Sequence, residues 1–289
     1  MRRWLAWLGL AVAVSPACAA APAGPAATLQ TQYAALRGDL ERNAFGRPLH
    51  LQSQETGDEL RGDVHAVLAY PFAEVEGALE GRQRWCDILI LHLNVKACRV
   101  VREPDVLRVY VGRKFDEPAS SAHKLDLAYR VAMATPDYFR LSLAADSGPF
   151  GTRDYRILVE AVPLERGRTF LHLSYAYRFG ESAKLAMLAY LRTLGVQKVG
   201  FSSEGRAPDG RPELVGGLRG ALERNVMRYY LAIDAYFGAL SAPQSERLEA
   251  RLRQWFASTE QYALQLHELD EDAYLEMKRK ECATLSSQS

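Results

Sequence analysis

The stretch GDVHAVLAYPFAEV, residues Gly62–Val75, contains two local patterns side by side. From Leu60 to Leu68 apolar and polar residues alternate, which predicts a strand with one buried face. Pro71 follows, and proline suits the first turn of a helix because its fixed φ fits there and its missing N–H is not needed. The next apolar residues recur at helical spacing: Phe72, Val75 and Leu79. The segment therefore predicts a strand that leads directly into a short helix.

Alternation with a period of two returns through the middle of the chain. Each stretch has one apolar and one polar face, which is typical of an antiparallel sheet that covers a single core. The stretches are 107–113, 125–133, 139–143, 155–161 and 171–179. Helical spacing marks three other regions, which we predict to be amphipathic helices: 29–40, 218–240 and 248–266. In the second region, the charged residues Glu223, Arg224 and Arg228 are expected on the solvent side.

From about Leu49 to Leu240 the order of these elements resembles the START-like, or SRPBCC, superfamily, which includes polyketide cyclase-like proteins. The most specific local match is Gly62–Val75 followed by Trp85. In that superfamily a first strand leads into a Pro-Phe-x-x-Val helix, and a Trp follows where the next helix begins. The resemblance implies an α+β helix-grip fold, in which a curved antiparallel sheet of about six or seven strands surrounds a long C-terminal helix.

The pattern divides the chain into four expected parts. Residues 1–19 form a signal peptide, 20–48 a linker and an N-terminal helix, 49–241 the helix-grip domain, and 242–289 a C-terminal helical extension. Within the domain, residues 180–217 are an insertion. Its apolar stretch, Lys184–Leu191, is either a lid or membrane-contacting element near the mouth of the cavity, or an extra helix packed on the sheet. The tail beyond Asp270 is charged and is expected to be solvated.

The first residues have the pattern of a secretory signal. Arg2 and Arg3 precede an apolar run, Trp4–Val14, and a small-residue stretch, Ala17–Ala21, which predicts cleavage near Ala19. The run is shorter than the ~20 residues of a membrane span. A twin-arginine signal and lipidation of Cys18 are the alternatives. We expect a periplasmic or secreted protein.

Composition limits the partners. Cleavage would remove two arginines and no acid, which takes the formal net charge from +1 to −1. Such a protein has no whole-molecule attraction for nucleic acid, and no other segment predicts a stable membrane span. The sequence has no G-x-S-x-G, no H-E-x-x-H and no phosphate-binding glycine loop, so we expect no cofactor and no metal.

Cys86 and Cys98 are close in the sequence, and an oxidising compartment favours a disulfide between them. Two small buried thiols are the alternative. Cys282 would remain unpaired.

Members of the superfamily enclose an apolar cavity between the sheet and the long helix, which implies a hydrophobic or lipid-like ligand. Such pockets combine apolar walls with a few polar groups. Tyrosines on the apolar sides of strands suit an amphipathic ligand, and simple core packing is the alternative. The expected lining residues are Trp85, Tyr129, Val159, Tyr175, Tyr177, Tyr230 and Ile233.

Two other functions stay open. A cyclase, hydratase or hydrolase could use the same cavity, with Asp87 and His92 as the catalytic candidates and Tyr175 as an acid. His65 and His172 occupy polar strand positions and are expected at the surface. Alternatively, the protein is a non-catalytic assembly factor whose C-terminal helices, Leu248–Leu266, bind a protein partner.

Overall fold

A computed structural model describes residues 24–180 and 198–286, apart from positions 104 and 114. The expected signal peptide, Cys18 and the apolar stretch 184–191 lie outside the described residues. Among the described helices, none is both long and apolar enough to cross a membrane.

Seven helices and ten strands are found in the described residues. The helices are α1 (Pro25–Glu41), α2 (Phe72–Leu79), α3 (Arg82–Leu89), α4 (Gly217–Gly238), α5 (Arg247–Glu260), α6 (Ala263–Leu266) and α7 (Glu271–Ser286). The strands are β1 (Leu49–Thr56), β2 (Glu59–Leu68), β3 (Val95–Val101), β4 (Val106–Val111), β5 (His123–Thr135), β6 (Tyr138–Ser147), β7 (Thr152–Leu164), β8 (Arg168–Phe179), β9 (Ser203–Arg206) and β10 (Pro212–Leu214).

Eight strands form one antiparallel sheet in the order β1-β2-β8-β7-β6-β5-β4-β3, and β9 and β10 form a separate hairpin. The α+β helix-grip architecture expected from the resemblance is confirmed. The sheet has more strands than the six or seven expected, because β1 and β3 extend its two edges. Their alternation is short, which made both strands hard to recognise from the sequence alone.

Helix α4 lies on the inner face of the sheet, against β1, β2 and β8. With 22 residues, and ~1.5 Å per residue, it spans about 33 Å. Gly62 of β2 allows its close approach: a Cβ built there would be 3.2 Å from Val226 and 3.4 Å from Leu222. A side chain at position 62 would require Val226 and Leu222 to move by a few tenths of an ångström.

The far side of α4 is also buried, which contradicts the expectation for its charged residues. Helix α5 covers that side, and Trp255 donates a hydrogen bond to the Arg228 carbonyl oxygen (3.1 Å). Arg228 donates to Glu268 (3.0 Å) and to the Leu266 carbonyl oxygen (3.1 Å). Glu223 accepts hydrogen bonds from the backbone N–H groups of Phe201 (2.6 Å) and Ser202 (2.9 Å). The C-terminal extension thus turns an amphipathic helix into a buried one.

Helix α1 packs on the outer face of the sheet, against β1 and β7. Its expected apolar stripe is confirmed, since Leu29 and Leu40 are buried and Tyr33 and Leu36 are half-buried. They contact a second, smaller core made by outward side chains of the sheet: Tyr138, Val162 and Phe170. Where α1 lies, the sheet is therefore covered on both faces.

The segment after Asp270 is a docked helix rather than a solvated tail. Tyr274, Leu275 and Met277 of α7 are buried, and α7 packs on the edge strand β3. Lys278 donates to the carbonyl oxygens of His92 and Val95, at 2.8 Å each. Glu281 accepts from both Lys278 (2.8 Å) and the buried Lys96 (3.0 Å). These contacts cover one open edge of the sheet.

The predicted disulfide is confirmed. Cys86 of α3 and Cys98 of β3 are bonded, with 5.1 Å between their Cα atoms and a sequence separation of 12. Among the described residues, Cys282 is the cysteine outside this disulfide, and it is half-buried.

Replacement of both bridged cysteines by alanine should lower the free energy of unfolding by about 3 kcal/mol, because the unfolded chain regains the freedom of a loop of about a dozen residues. Urea unfolding of the double variant and the wild type measures the difference. Cys282→Ala is the control and should change stability far less. Equal stabilities of the double variant and the wild type would contradict the prediction.

Candidate functional site

Four tyrosines meet on the inner face, where β7 begins and β8 ends. Tyr155 and Tyr177 stack at 5.4 Å between ring centroids, and Tyr175 lies 5.6 Å from Tyr177 and 6.2 Å from Tyr155. Tyr229 of α4 completes the group at 5.5 Å from Tyr175. We call Tyr155, Tyr175, Tyr177 and Tyr229 the tyrosine cluster. It joins two of the predicted ligand-binding residues, Tyr175 and Tyr177, to the long helix.

The hydroxyls of the cluster differ in their partners. The Tyr155 hydroxyl lies 2.7 Å from that of Thr152. Within residues 24–180 and 198–286, no hydrogen bond joins the hydroxyls of Tyr175, Tyr177 or Tyr229 to a protein group. Tyr175 and Tyr177 stay 7% and 6% exposed, whereas their neighbour Leu173 on the same strand face is 1% exposed. Other residues at the border of this core, such as Leu125 and Ile157 at 7% and 8%, are exposed to the same extent.

Burial raises the pKa of all four phenols, most strongly for Tyr175. They stay protonated at neutral pH and can donate hydrogen bonds. Apolar side chains surround them: Leu60 pairs with Tyr177 across the sheet, and Ile157 pairs with Tyr175. The cluster is thus a set of neutral donors in an apolar environment.

Three other predicted ligand-binding residues have their polar atoms near other protein groups. The Trp85 indole N–H donates to the Leu79 carbonyl oxygen (2.6 Å), and the Tyr129 hydroxyl donates to that of Glu80 (2.7 Å). Burial raises the pKa of Tyr129 to about 12. Burial also raises the pKa of Tyr230, with Asp234 and Arg47 beside it. The first contact joins α3 to the end of α2, and the second joins the residue after α2 to β5 of the sheet.

Val159 and Ile233 lie in the interior between the tyrosine cluster and the rest of the core. Val159 is 0% exposed and faces Leu141 and Leu173 across the neighbouring strands, and Ile233 is 1% exposed. Both side chains are closely packed by other protein groups. Their part in ligand binding remains a prediction.

The catalytic candidates Asp87 and His92 have different partners. Asp87 accepts a hydrogen bond from Arg251 (2.9 Å). His92 accepts one at Nδ1 from the backbone N–H of Asn94 (3.1 Å) and stacks on Tyr229 at 4.7 Å. Asp87 and His92 thus contact different residues, and it is His92 that adjoins the tyrosine cluster.

A second polar centre, which the sequence did not predict, lies on the outer face beneath α1. His172 hydrogen-bonds Asp63 through Nε2 (2.9 Å) and Glu160 through Nδ1 (3.0 Å). Because ionised carboxylates only accept, both ring nitrogens carry protons and His172 is an imidazolium. Arg61 also donates to Asp63 (3.0 Å), and Tyr138 donates to Glu160. We call Asp63, Glu160 and His172 the histidine centre.

His65 stacks on His172 with 4.4 Å between ring centroids and 3° between planes, and its Nε2 hydrogen-bonds the Gln32 amide of α1 (2.7 Å). Burial, together with the neighbouring His172 charge, lowers the pKa of His65 to about 3. His65 is therefore neutral beside the imidazolium. Both histidines are buried, at 0% and 6% exposure, so the expectation that they lie at the surface is wrong.

The residues of the histidine centre are visible in the sequence, but only the pairing of the strands shows that they lie side by side. His50, His65, His172 and Glu160 fall in one row across β1, β2, β8 and β7. The apolar stripe of α1 also required a surface to cover, and the outer face of the same strands supplies it. Neither fact follows from local pattern.

Two open pockets lie away from the tyrosine cluster. One, of about 330 Å³, is on the outer face beside α1 and is lined by Tyr33, Leu40, Val67 and Arg168 among others. The other, of about 270 Å³, lies among Gln54, Glu59, Arg61 and Arg178. Among the described residues, no three His, Cys, Asp or Glu side chains are placed to hold a metal ion.

The solved structures similar to this chain are remote in sequence. A START superfamily protein from Mycobacterium smegmatis is 12% identical, with 45% of this chain and 78% of that one covered and a TM-score of 0.30. A point mutant of norcoclaurine synthase from Thalictrum flavum, in complex with a transition-state analogue, is 12% identical. The match covers 50% of this chain and 89% of that one, with a TM-score of 0.35. CalU16 from Micromonospora echinospora is 11% identical. The match covers 76% of this chain and 98% of that one, with a TM-score of 0.30.

No protein-family model matches the chain, and no curated protein is similar enough to count as a relative. The function proposed below therefore depends on the geometry of this chain.

The histidine centre predicts how stability changes with pH. Burial alone would raise the pKa of Asp63, but hydrogen bonds from His172, Arg61 and Ser174 outweigh it and lower that pKa to about 2. Since the unfolded value is 3.8, Asp63 contributes roughly 2 kcal/mol of stability above pH 4. This contribution should be lost as the pH falls from about 4 to 2. Urea unfolding across that range measures it, and Asp63→Asn should flatten the change.

At high pH the same centre should weaken for the opposite reason. Burial alone would lower the pKa of His172, but its hydrogen bonds to Asp63 and Glu160 outweigh burial and raise it. A raised pKa gives stability that is full below 6.5 and is lost as the pH rises through the folded value. A His172→Gln variant should lose stability at pH 6 and show a smaller decline above it. A decline as steep as that of the wild type would contradict the assignment.

Proposed function

We propose that this protein binds an apolar small molecule with one polar end, at the tyrosine cluster between β7, β8 and α4. The observation that carries the proposal is the set of phenols without a described protein partner. Tyr175 and Tyr177 face apolar surroundings and yet retain exposed area. Pockets for small molecules typically have this composition, with apolar walls and a few polar groups that orient the ligand.

The energetics favour an occupant with an oxygen atom. The hydroxyls of Tyr175 and Tyr177 are not among the fully buried polar atoms that lack a hydrogen bond, so a ligand that covers them replaces their contact with solvent. A hydroxyl that loses this contact without a new hydrogen bond costs about 1–3 kcal/mol, so a ligand oxygen that accepts from it avoids the loss. The rings add favourable contact area with an apolar body. An amphipathic molecule satisfies both requirements, whereas a purely apolar one leaves the hydroxyls unpaired.

The phenols serve as donors rather than as acids. Burial raises their pKa values, so a ligand oxygen accepts a hydrogen bond without receiving a proton. His92 adjoins Tyr229, but its Nδ1 is already used by Asn94. This arrangement supports binding rather than turnover.

We also propose that binding takes place outside the cytoplasm. The Cys86–Cys98 disulfide supports this location, because such bonds persist in oxidising compartments. Positions 2–21 support it independently, because two arginines, an apolar run and a small-residue stretch follow one another there as in a signal peptide.

The test removes the hydroxyls and keeps the rings. Delipidated wild-type protein is titrated with the fluorescent sterol dehydroergosterol and with the fluorescent fatty acid cis-parinaric acid. The double variant Tyr175→Phe/Tyr177→Phe should bind the preferred probe about fivefold to tenfold more weakly, since loss of a hydrogen bond costs about 1–1.5 kcal/mol and about 1.4 kcal/mol corresponds to tenfold.

Tyr274→Phe is the matched control. Tyr274 is buried in α7 and donates to the Leu91 carbonyl oxygen (3.0 Å), away from the cluster. This variant should lose stability while its affinity for the probe stays that of the wild type. The proposal fails if delipidated wild type binds neither probe, or if the double variant binds as tightly as the wild type.

A further inference from the structure

Beyond the part of β6 and β7 that helix α1 covers, the outward side chains of β4–β7 form a solvent-facing surface. Alternation places five cations on it: Arg108, Lys124, Arg130, Arg140 and Arg156. The side chains of Lys124, Arg140 and Arg156 are 56%, 47% and 53% exposed. We call these five residues the basic face. It lies on the opposite side of the sheet from the tyrosine cluster.

The register places three arginines around a floor of small side chains. Ala144 of β6 pairs with Ala128 of β5 on one side and with Arg156 of β7 on the other. In the next row, Ser142 pairs with Arg130. Arg140 precedes Ser142 by two positions and so projects from the same face. Arg130 and Arg156 are two strand spacings of about 4.8 Å apart across the sheet and one row of about 6.8 Å apart along it, so they start about 12 Å apart.

The carboxylates of this surface leave positive charge uncompensated. Asp126 is shared by Arg108 (2.8 Å) and Lys124 (3.8 Å). Glu160 is 3.9 Å from Arg140, but it is already hydrogen-bonded by the imidazolium of His172. In the part of the chain that the structure describes, no carboxylate lies within 4.0 Å of Arg130.

Two further acids belong to the rim of the surface. Glu59 binds Arg156 (2.7 Å) and is shared with Arg178 (3.3 Å). Asp146 is exposed at the end of β6, beyond the two rows. The interior of the basic face stays positive although the whole chain carries a formal net charge of only +1.

We propose that the basic face docks on the anionic headgroup surface of a membrane, with lipid phosphates bound by Arg130, Arg140 and Arg156. A guanidinium group can donate two parallel hydrogen bonds to two oxygens of one phosphate. Between the three arginines the surface carries only small Ala and Ser side chains, which leaves room for a headgroup. Clusters of basic residues attract anionic lipids in this way. The inference goes beyond the binding of a small molecule and does not depend on it.

Two features favour a membrane over an acidic protein as the partner. Met133 is 40% exposed, and it pairs with Arg140 at the edge of the basic face, where it can contact the boundary between headgroups and acyl chains. The centre of a protein interface is instead depleted of charge and rich in aromatic side chains. The centre of this surface is Ala128, Ser142 and Ala144 between arginines.

Vesicle sedimentation tests the proposal on the full chain. Wild-type protein should co-sediment with phosphatidylglycerol vesicles at 50 mM NaCl, should bind phosphatidylcholine vesicles at least tenfold more weakly, and should be released in 1 M NaCl, where the Debye length is about 3 Å. The variant Arg130→Ala/Arg140→Ala/Arg156→Ala should lose at least tenfold in affinity for phosphatidylglycerol. Arg130→Ala alone removes no described ion pair and should weaken binding while the protein stays folded.

The control variant is Arg211→Ala/Arg253→Ala/Lys280→Ala, which changes the net charge equally. These side chains are 83%, 54% and 66% exposed and lie outside the basic face. The control should bind as the wild type does. Equal losses in both triple variants, or no preference for phosphatidylglycerol in the wild type, would overturn the proposal. Soluble polyglutamate that binds as tightly as the vesicles would indicate an acidic polypeptide partner and would overturn it as well.

Discussion

Strands β2 and β8 pair antiparallel, with Gly62 opposite Tyr175 and Asp63 opposite Ser174. This one register assigns Tyr175 and Tyr177 to the inner face and His172 to the outer face. A slip by one residue would exchange the two faces along the whole strand. It would expose the tyrosines and bury His172 under α4, where no carboxylate of the histidine centre would accompany it. Gly62 adds a second condition, because only a residue without a side chain lets Leu222 and Val226 approach β2 so closely.

The two faces of the sheet bury different kinds of side chain. On the inner face, α4 and the strands bury apolar surface, and the phenols of the tyrosine cluster add polar groups to it. On the outer face, an imidazolium is buried between two carboxylates, and burial of a charge is tolerable only when it is paired in this way. Helix α1 completes that burial through Gln32, so its position on the sheet depends on His65 beneath it. The remainder of the outer face stays in solvent and keeps its arginines.

The C-terminal extension changes the environment of residues far from it in the sequence. Arg228 and Lys278 each resemble surface residues of an amphipathic helix, yet they are 1% and 0% exposed. Burial lowers the pKa of Lys278 to about 8, against the opposing effect of Glu281. Both cations donate to backbone carbonyl oxygens of distant segments, which joins α4 and α7 to the loops around them. Replacement of Glu268 or Glu281 by an apolar residue would leave a buried cation without its carboxylate, so these contacts favour one arrangement of the helices.

Local pattern was sufficient for the element types, because periods of two and of 3.6 are properties of a short stretch read by itself. Leu60–Leu68, Pro71 and the stripe from Leu218 to Leu240 predicted the strand, the short helix and the long helix, and the spacing of Cys86 and Cys98 predicted the disulfide. The same pattern could not show that His65 and His172 stack under α1, since strand alternation tells the two faces apart but not which face a distant helix covers. Nor could it show that Arg130, Arg140 and Arg156 converge. Charge counted along the chain is nearly balanced, and only the register of four strands brings the cations together on one surface.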